Sequence, residues 1–187
     1  MIDPNQITKY DRNESELEEF LMFAIMVAGK SAQQTAIKLK DFLRHSYMES
    51  PIEYVDRLVQ EGSLDYTMKS ARIGQYNRIG NAFKGIIQFK NRLREVSVSD
   101  LESVSGIGSK TARFFVLHSR PNQQIAVLDT HILKWLKLHG EKAPKTTPPK
   151  KQYATLEKAF LKYSKDYDLP PAELDLHIWK QYSEKCS

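Results

Sequence analysis

Apolar residues recur along this chain at spacings of three and four from one end to the other, and alternation with a period of two is scarce. That periodicity admits helices and leaves almost nothing from which to build a sheet, so the fold class it predicts is all-α. The stretch 15–28, SELEEFLMFAIMVA, opens with Ser15 and acids, as a helix N-terminus should. Leu17, Phe20, Leu21, Ala24, Ile25 and Ala28 share one face, and Phe23, Met26 and Val27 widen it into a helix buried on most sides. Gly29 ends it. Further helices are predicted from Ser31 or Ala32 to about His45, with Ile37, Leu39, Phe42 and Leu43 inward, and over 51–60, opened by Pro51 and closed by Gly62. The same reading gives helices over 65–71, 77–94, 100–104 under a Ser99 cap, and 110–118. The last three are one capped by Asp129 and running to His139, then 151–166 and 171–183. The count is about ten helices, with no internal repeat and no coiled-coil heptads.

At 187 residues the chain fits one domain or one body with two lobes. Its net charge of +5 suits a nucleic-acid or phosphate partner without establishing one. The lone cysteine, Cys186, permits no disulfide within the chain and rules out both a thiolate zinc site and a four-cysteine iron–sulfur cluster. The start is polar, with no signal core, and the longest apolar run, Phe20 to Ala28, is much shorter than a membrane span. These features lead us to expect a soluble, intracellular protein with no membrane partner.

Three features carry chemistry. Gly106-Ile107-Gly108 reads as a turn between two short helices, with backbone freedom expected at both glycines. Its exposed N–H groups suit a DNA phosphate, or the turn is an ordinary helix corner. Lys110 stands at a helix entrance, the unfavourable half of the macrodipole for a cation. It is either a phosphate-contacting or solvated lysine, or an amine kept neutral so that it can act as a nucleophile. Asp129 reads as an N-cap worth about 1 kcal/mol, and a rigid, ionised cap carboxylate can also stabilise a developing cation.

Taken together, VSGIGSKTA followed by the aspartate of LDTHI, nineteen residues beyond Lys110, resembles the helix–hairpin–helix DNA glycosylase superfamily, which includes endonuclease III and the 8-oxoguanine glycosylases. Lys30 to Thr35 resembles the family's segment ahead of its second barrel helix, and Ile73 to Asn77 its DNA-wedge turn. The likeness spans residues 15–139. Leu174 to Trp179, LDLHIW, is similar to archaeal-type 8-oxoguanine glycosylases.

The resemblance implies a two-lobed helical body. A barrel lobe over 13–124 ends in the helix–hairpin–helix, and residues 1–12 with 125–187 form the second lobe. Double-stranded DNA with a damaged base would lie across the cleft, bound by a monomer. Lys110 would attack C1′, and Asp129 would stabilise the cationic sugar. Schiff-base formation and β-elimination would then nick the strand, which makes the activity a bifunctional glycosylase and AP lyase. The damaged base must be flipped out to be reached. Gln33 would fill the space it leaves, Gln75 would wedge the opposite strand, and Gly106, Gly108 and His131 would contact DNA. Backbone carbonyls of Glu102, Val104 and Ile107 would hold a monovalent cation, and no cofactor is otherwise required.

Gln75 replaces the bulky apolar residue common at the wedge. The missing four-cysteine cluster and LDLHIW favour 8-oxoguanine over an oxidised pyrimidine. Asp175 and Trp179 are candidates for the base pocket. Asp175 reads equally as a solvated or salt-bridged acid, and His177 and Lys180 stand the same way. Trp135, Phe20, Phe23 and Tyr182 are further stacking candidates or plain core. Lys142, Lys145, Lys150 and Lys151 are a solvated run or a phosphate contact. Two other readings stay open: a monofunctional mismatch glycosylase in which Lys110 only touches phosphate, and a non-catalytic helix–hairpin–helix DNA-binding module.

Overall fold

The computed structural model describes residues 2–183, and their regular structure is entirely helical. Cys186 lies outside the described residues. In order, the elements are α1 (Glu14–Val27), α2 (Ala32–Leu43), α3 (Pro51–Gln60), α4 (Leu64–Ser70) and α5 (Tyr76–Ile86) with a 3-10 turn (Ile87–Phe89). They continue with α6 (Val98–Glu102), α7 (Ser109–Ser119), α8 (Thr130–Leu138), α9 (Lys150–Asp166) and α10 (Pro171–Ser183). None of the described helices is long and apolar enough to cross a membrane.

α1 is the axis of the first core, and its residues from Phe20 to Met26 are all buried. Each such large side chain contributes about 1.5–3 kcal/mol on leaving water. The helix starts one residue before Ser15: Asn13 and Glu16 form a capping box, each side chain bonding the other's backbone N–H. Buried Glu18 has a local reason too. Its carboxylate accepts from Ile52 N–H in the first turn of α3, where the helix dipole favours negative charge.

Two packing expectations fail. Ile37 is 56 % exposed, because the face of α2 that packs inward runs Thr35, Leu39, Phe42, and Ile37 lies opposite it. The helix predicted over 77–94 stops at Ile86, tightens into the 3-10 turn and breaks at Asn91, whose φ is +60°. Ile86, Phe89 and Leu93 are all buried, so the helical spacing of apolar residues continues through backbone that is no longer α-helical. α6 is capped by Ser97, boxed with Asp100, rather than by Ser99.

The first core cluster runs from Ile2 to Val116. A second joins Trp135, Leu136, Tyr153, Leu156, Phe160, Leu174 and Ile178 of α8, α9 and α10. Leu117, Val127 and Ala172 lie at the seam. The N-terminal strap, which the sequence reading groups with residues 125–187, packs on the first core cluster. Ile2 and Ile7 join it, Lys9 N–H bonds the His118 carbonyl, and buried Arg12 lies over the Phe20 ring while bonding the carbonyls of Ile7, Lys9 and His118.

Candidate active site

The hairpin is held from below and open above. Val104 and Ile107 are buried in the first core, and Ile107 N–H closes the turn on the Val104 carbonyl at 3.0 Å. Gly106 has φ +95°, and a Cβ there would drive into the Arg78 carbonyl, so no other residue fits. Gly108 differs from expectation. Its φ of −97° and ψ of 174° are ordinary extended backbone with open space around the missing side chain, so no conformational freedom is used there. It is the N-cap of α7, and no side chain caps the first turn.

Arg78 ties the hairpin to the turn that precedes α5. Its guanidinium donates to the Gly106 carbonyl (3.0 Å), the Ile25 carbonyl at the end of α1 (2.9 Å) and Gln75 Oε1 (2.6 Å). Gln75 is exposed and left-handed, with φ +48°, and Arg72 two residues before the intervening Gly74 is left-handed as well. Lys30 Nζ reaches the Ile73 carbonyl at 2.7 Å, which brings the segment ahead of α2 against the same turn. Gln33 is exposed in the first turn of α2, its amide oxygen accepting from Ser31.

Lys110 and Asp129 meet at two facing helix entrances. Lys110 Nζ lies 3.9 Å from Asp129 Oδ2, with the side chains 35 % and 14 % exposed. The two carboxylate oxygens are divided between tasks. Oδ1 accepts from the N–H groups of His131 (2.8 Å) and Ile132 (2.9 Å), which caps α8, while Oδ2 faces the amine. At 3.9 Å the amine is near the carboxylate but not fixed to it by a hydrogen bond. His131 is half-buried, 6.0 Å from the Tyr182 ring, and Lys134 stacks over the same ring.

Asp175 is neither solvated nor open: it is 6 % exposed and paired with fully buried His118 at 3.2 Å. The other imidazole nitrogen of His118 meets the Thr8 hydroxyl at 2.7 Å. Burial pushes the Asp175 carboxyl above its ordinary range, against the pull of His118. The charges of Asp129 and Lys110 act on it in opposite directions, so it stands within their electrostatic reach. Trp179, one turn further along α10, is half-buried.

Trp135 is withdrawn as a stacking residue, because it packs among Phe160, Tyr163 and His139 in the second core. Phe20 and Phe23 are core as well. His177 and the lysines at 142, 145, 150 and 151 are exposed. Glu102 faces Arg113 at 2.6 Å and Lys150 at 4.0 Å. Burial works to raise its carboxyl, but hydrogen bonds from Ser109 and Arg113 and the two nearby cations hold it below the ordinary range. Arg78, Arg113 and His118 went unread in the sequence. Each bonds a residue remote in the chain, which no local spacing announces.

A protein-family model described as 8-oxoguanine DNA glycosylase matches residues 3–169. Among curated relatives, the 8-oxoguanine DNA glycosylase/AP lyase of Thermoplasma volcanium is 28 % identical over 172 residues, covering 91 % of this chain and 82 % of the relative. A protein of the same description from Thermotoga sp. (strain RQ2) is 27 % identical over 165 residues, covering 85 % and 76 %. Among solved structures, the Methanocaldococcus jannaschii 8-oxoguanine glycosylase/lyase in complex with a 15mer DNA containing 8-oxoguanine superposes with a TM-score of 0.71. It is 21 % identical, with 93 % of this chain and 84 % of that one covered. The 8-oxoguanine DNA glycosylase of Thermotoga maritima gives 0.69 at 20 % identity, covering 94 % and 84 %. At these identities the superpositions speak for the fold.

Proposed function

This chain belongs to the 8-oxoguanine DNA glycosylase family, and on that premise we propose that it releases 8-oxoguanine from double-stranded DNA and nicks the strand, with Lys110 as nucleophile and Asp129 as its charged partner. The observation that carries this assignment is the 3.9 Å approach of Lys110 Nζ to Asp129 Oδ2 beside the hairpin, with Oδ1 committed to the helix cap. A carboxylate held in that way cannot swing away as charge develops nearby. It is preorganised for a cationic sugar.

With its proton given up, the Lys110 amine adds to C1′ as the bond from C1′ to the base nitrogen breaks, and the base leaves with the bonding pair and takes up a proton. The added nitrogen sheds its proton, for which Asp129 Oδ2 is the adjacent acceptor. Opening of the sugar ring gives a Schiff base. Loss of a proton from C2′ then expels the 3′ phosphate and breaks the strand. The flipped base would lie towards α10 and half-buried Trp179, which stands one turn beyond Asp175, itself closed off against His118. The open N–H groups at Gly108 and the side chains of Gln33, Gln75 and His131 would engage the duplex. The hairpin carbonyls of Glu102, Val104 and Ile107 would hold a monovalent cation, as the resemblance implies, and the Val104 oxygen, bonded once by Ile107, keeps a second lone pair for it. When bound, that ion supplies positive charge beside the turn. The protein acts as a monomer inside the cell.

Borohydride reduction in the presence of an 8-oxoguanine duplex tests the chemistry, since the hydride fixes the Schiff base as a stable amine. The wild type is expected to form a covalent adduct and Lys110→Gln none. A wild type that traps neither lesion nor abasic duplex overturns the lyase assignment. Base release that persists in Lys110→Gln but not in Asp129→Asn points to water as nucleophile.

A further inference from the structure

Arg113 lies one turn into α7 from Lys110, and its guanidinium is where three elements meet. Nη1 donates to Glu102 of α6 at 2.6 Å, Nε donates to Glu157 of α9 at 3.0 Å, and the group lies 4.4 Å from the centre of the Tyr153 ring. The two α9 residues reach further. Glu157 Oε1 also accepts from Ala126 N–H at 3.0 Å. The Tyr153 hydroxyl donates to the Ala126 carbonyl at 2.8 Å and accepts from Leu128 N–H at 3.1 Å. Residues 126–128 are the run that delivers Asp129, and they carry no regular structure of their own. Their backbone groups are bonded instead to the side chains of α9. The helix that carries Lys110 is bonded, through Arg113, to the same Glu157 oxygen. Lys110 and Asp129 therefore rest on one shared support, although they come from different elements and are not themselves hydrogen-bonded.

We propose that Arg113, Glu157 and Tyr153 form a positioning clamp that sets the separation and alignment of Lys110 and Asp129. The proposal rests on the assignment of those two residues as the reacting pair. An ion pair kept for stability alone would be an inefficient choice here, because well-packed apolar residues do as well in a half-buried site. The geometry has a use that apolar packing lacks. A guanidinium offers donors in fixed directions, so it defines where α7 stands relative to α9 and to the run before Asp129. Displacement of a reacting group by about 1 Å costs on the order of a hundredfold in rate.

The test compares single-turnover constants for base release and for nicking of a preformed abasic duplex, with enzyme in excess so that the inactive fraction drops out. The variants are Tyr153→Phe, Glu157→Gln, Arg113→Met and Arg113→Lys, with lesion-duplex affinity measured alongside. The hydroxyl is all that Tyr153→Phe removes, so this variant keeps its packing. We expect Tyr153→Phe and Glu157→Gln to lower base release by about tenfold or more, as for a sub-ångström displacement, while affinity is unchanged. Arg113→Met should fall further, and Arg113→Lys should recover part of that loss, since an amine can keep one of the two bonds. Rates for Tyr153→Phe and Glu157→Gln equal to wild type, or a loss in Arg113→Met that appears only as a lower folded fraction, overturn the clamp. A wild type that releases no base overturns the assignment of the reacting pair, and the clamp with it. The two failures are therefore told apart by the wild-type lane alone.

Discussion

Helices α7 and α8 begin beside one another and begin in opposite ways. The entrance of α8 is built as stability asks. Asp129 bonds two of its free N–H groups and sets a negative charge on the positive end of the dipole. The entrance of α7 has Gly108 where a capping side chain belongs, no acid in the first turn, and Lys110 in its place. The contrast shows where the fold gives up stability. At α8 the two oxygens of the cap carboxylate point to different partners, so on the proposed mechanism one group would serve both structure and chemistry. At α7 the first turn has no side-chain cap and a lysine is tolerated there, an arrangement that under the proposed function would serve chemistry alone.

Substitutions that exchange the properties of the two entrances should separate these roles, and their effects are taken from largest to smallest. Lys110→Gln should abolish the borohydride adduct and slow nicking by roughly a thousandfold or more, as for loss of a nucleophile. Its melting temperature should hold or rise slightly, since a misplaced cation is removed and a pair with one partner about a third exposed is worth little. Asp129→Asn should slow base release by roughly 10²–10³-fold, in line with the loss of one preorganised electrostatic group. The Asn cap should keep stability within about 0.5 kcal/mol, and Asp129→Ala should lose about 1 kcal/mol as well. A large stability loss in Asp129→Asn would show that cap and catalyst cannot be separated.

Gly106→Ala should destabilise by about 1–3 kcal/mol from its left-handed backbone alone, and by more from the collision with the Arg78 carbonyl, as read from urea unfolding. Gly108→Ser is the mild counterpart. It should raise the free energy of unfolding by a few tenths of a kcal/mol, because the backbone there already suits a serine cap. A fall would contradict the statement that Gly108 uses no special conformation.

The parts of this molecule that were legible in the sequence are those whose cause is local. The Asp129 cap, the Pro51 start and the positive φ of Gly106 each follow from residues within one turn. The end of α5 was not legible, because burial of Ile86, Phe89 and Leu93 preserves helical spacing after the backbone has left the helix. Gly108 misled because glycine was read as a conformational demand, when at that position it is the absence of a cap. Trp135 is a large aromatic near the candidate pair in sequence, yet it turns into the second core. The interior polar pairs had no local sign at all. Arg113 and Glu157 are 44 residues apart, His118 and Asp175 are 57 apart, and Thr8 and His118 are 110 apart. What pairs them is the packing of α7 against the strap, α9 and α10, which single-chain spacing does not encode.

The three bonds of Arg78 have a mechanical consequence. One guanidinium fixes the turn that carries Gln75, the hairpin at Gly106 and the end of α1 at set distances, and these cannot change without stranding half-buried polar groups. Were a duplex held at both the turn and the hairpin, as the proposed function has it, the protein would act as a stiff caliper and the strain of the fit would fall on the DNA. The duplex bends or unstacks most cheaply where its own stacking is weakest. Selection of a damaged position would then begin as a test of compliance, made before any atom of the base is touched.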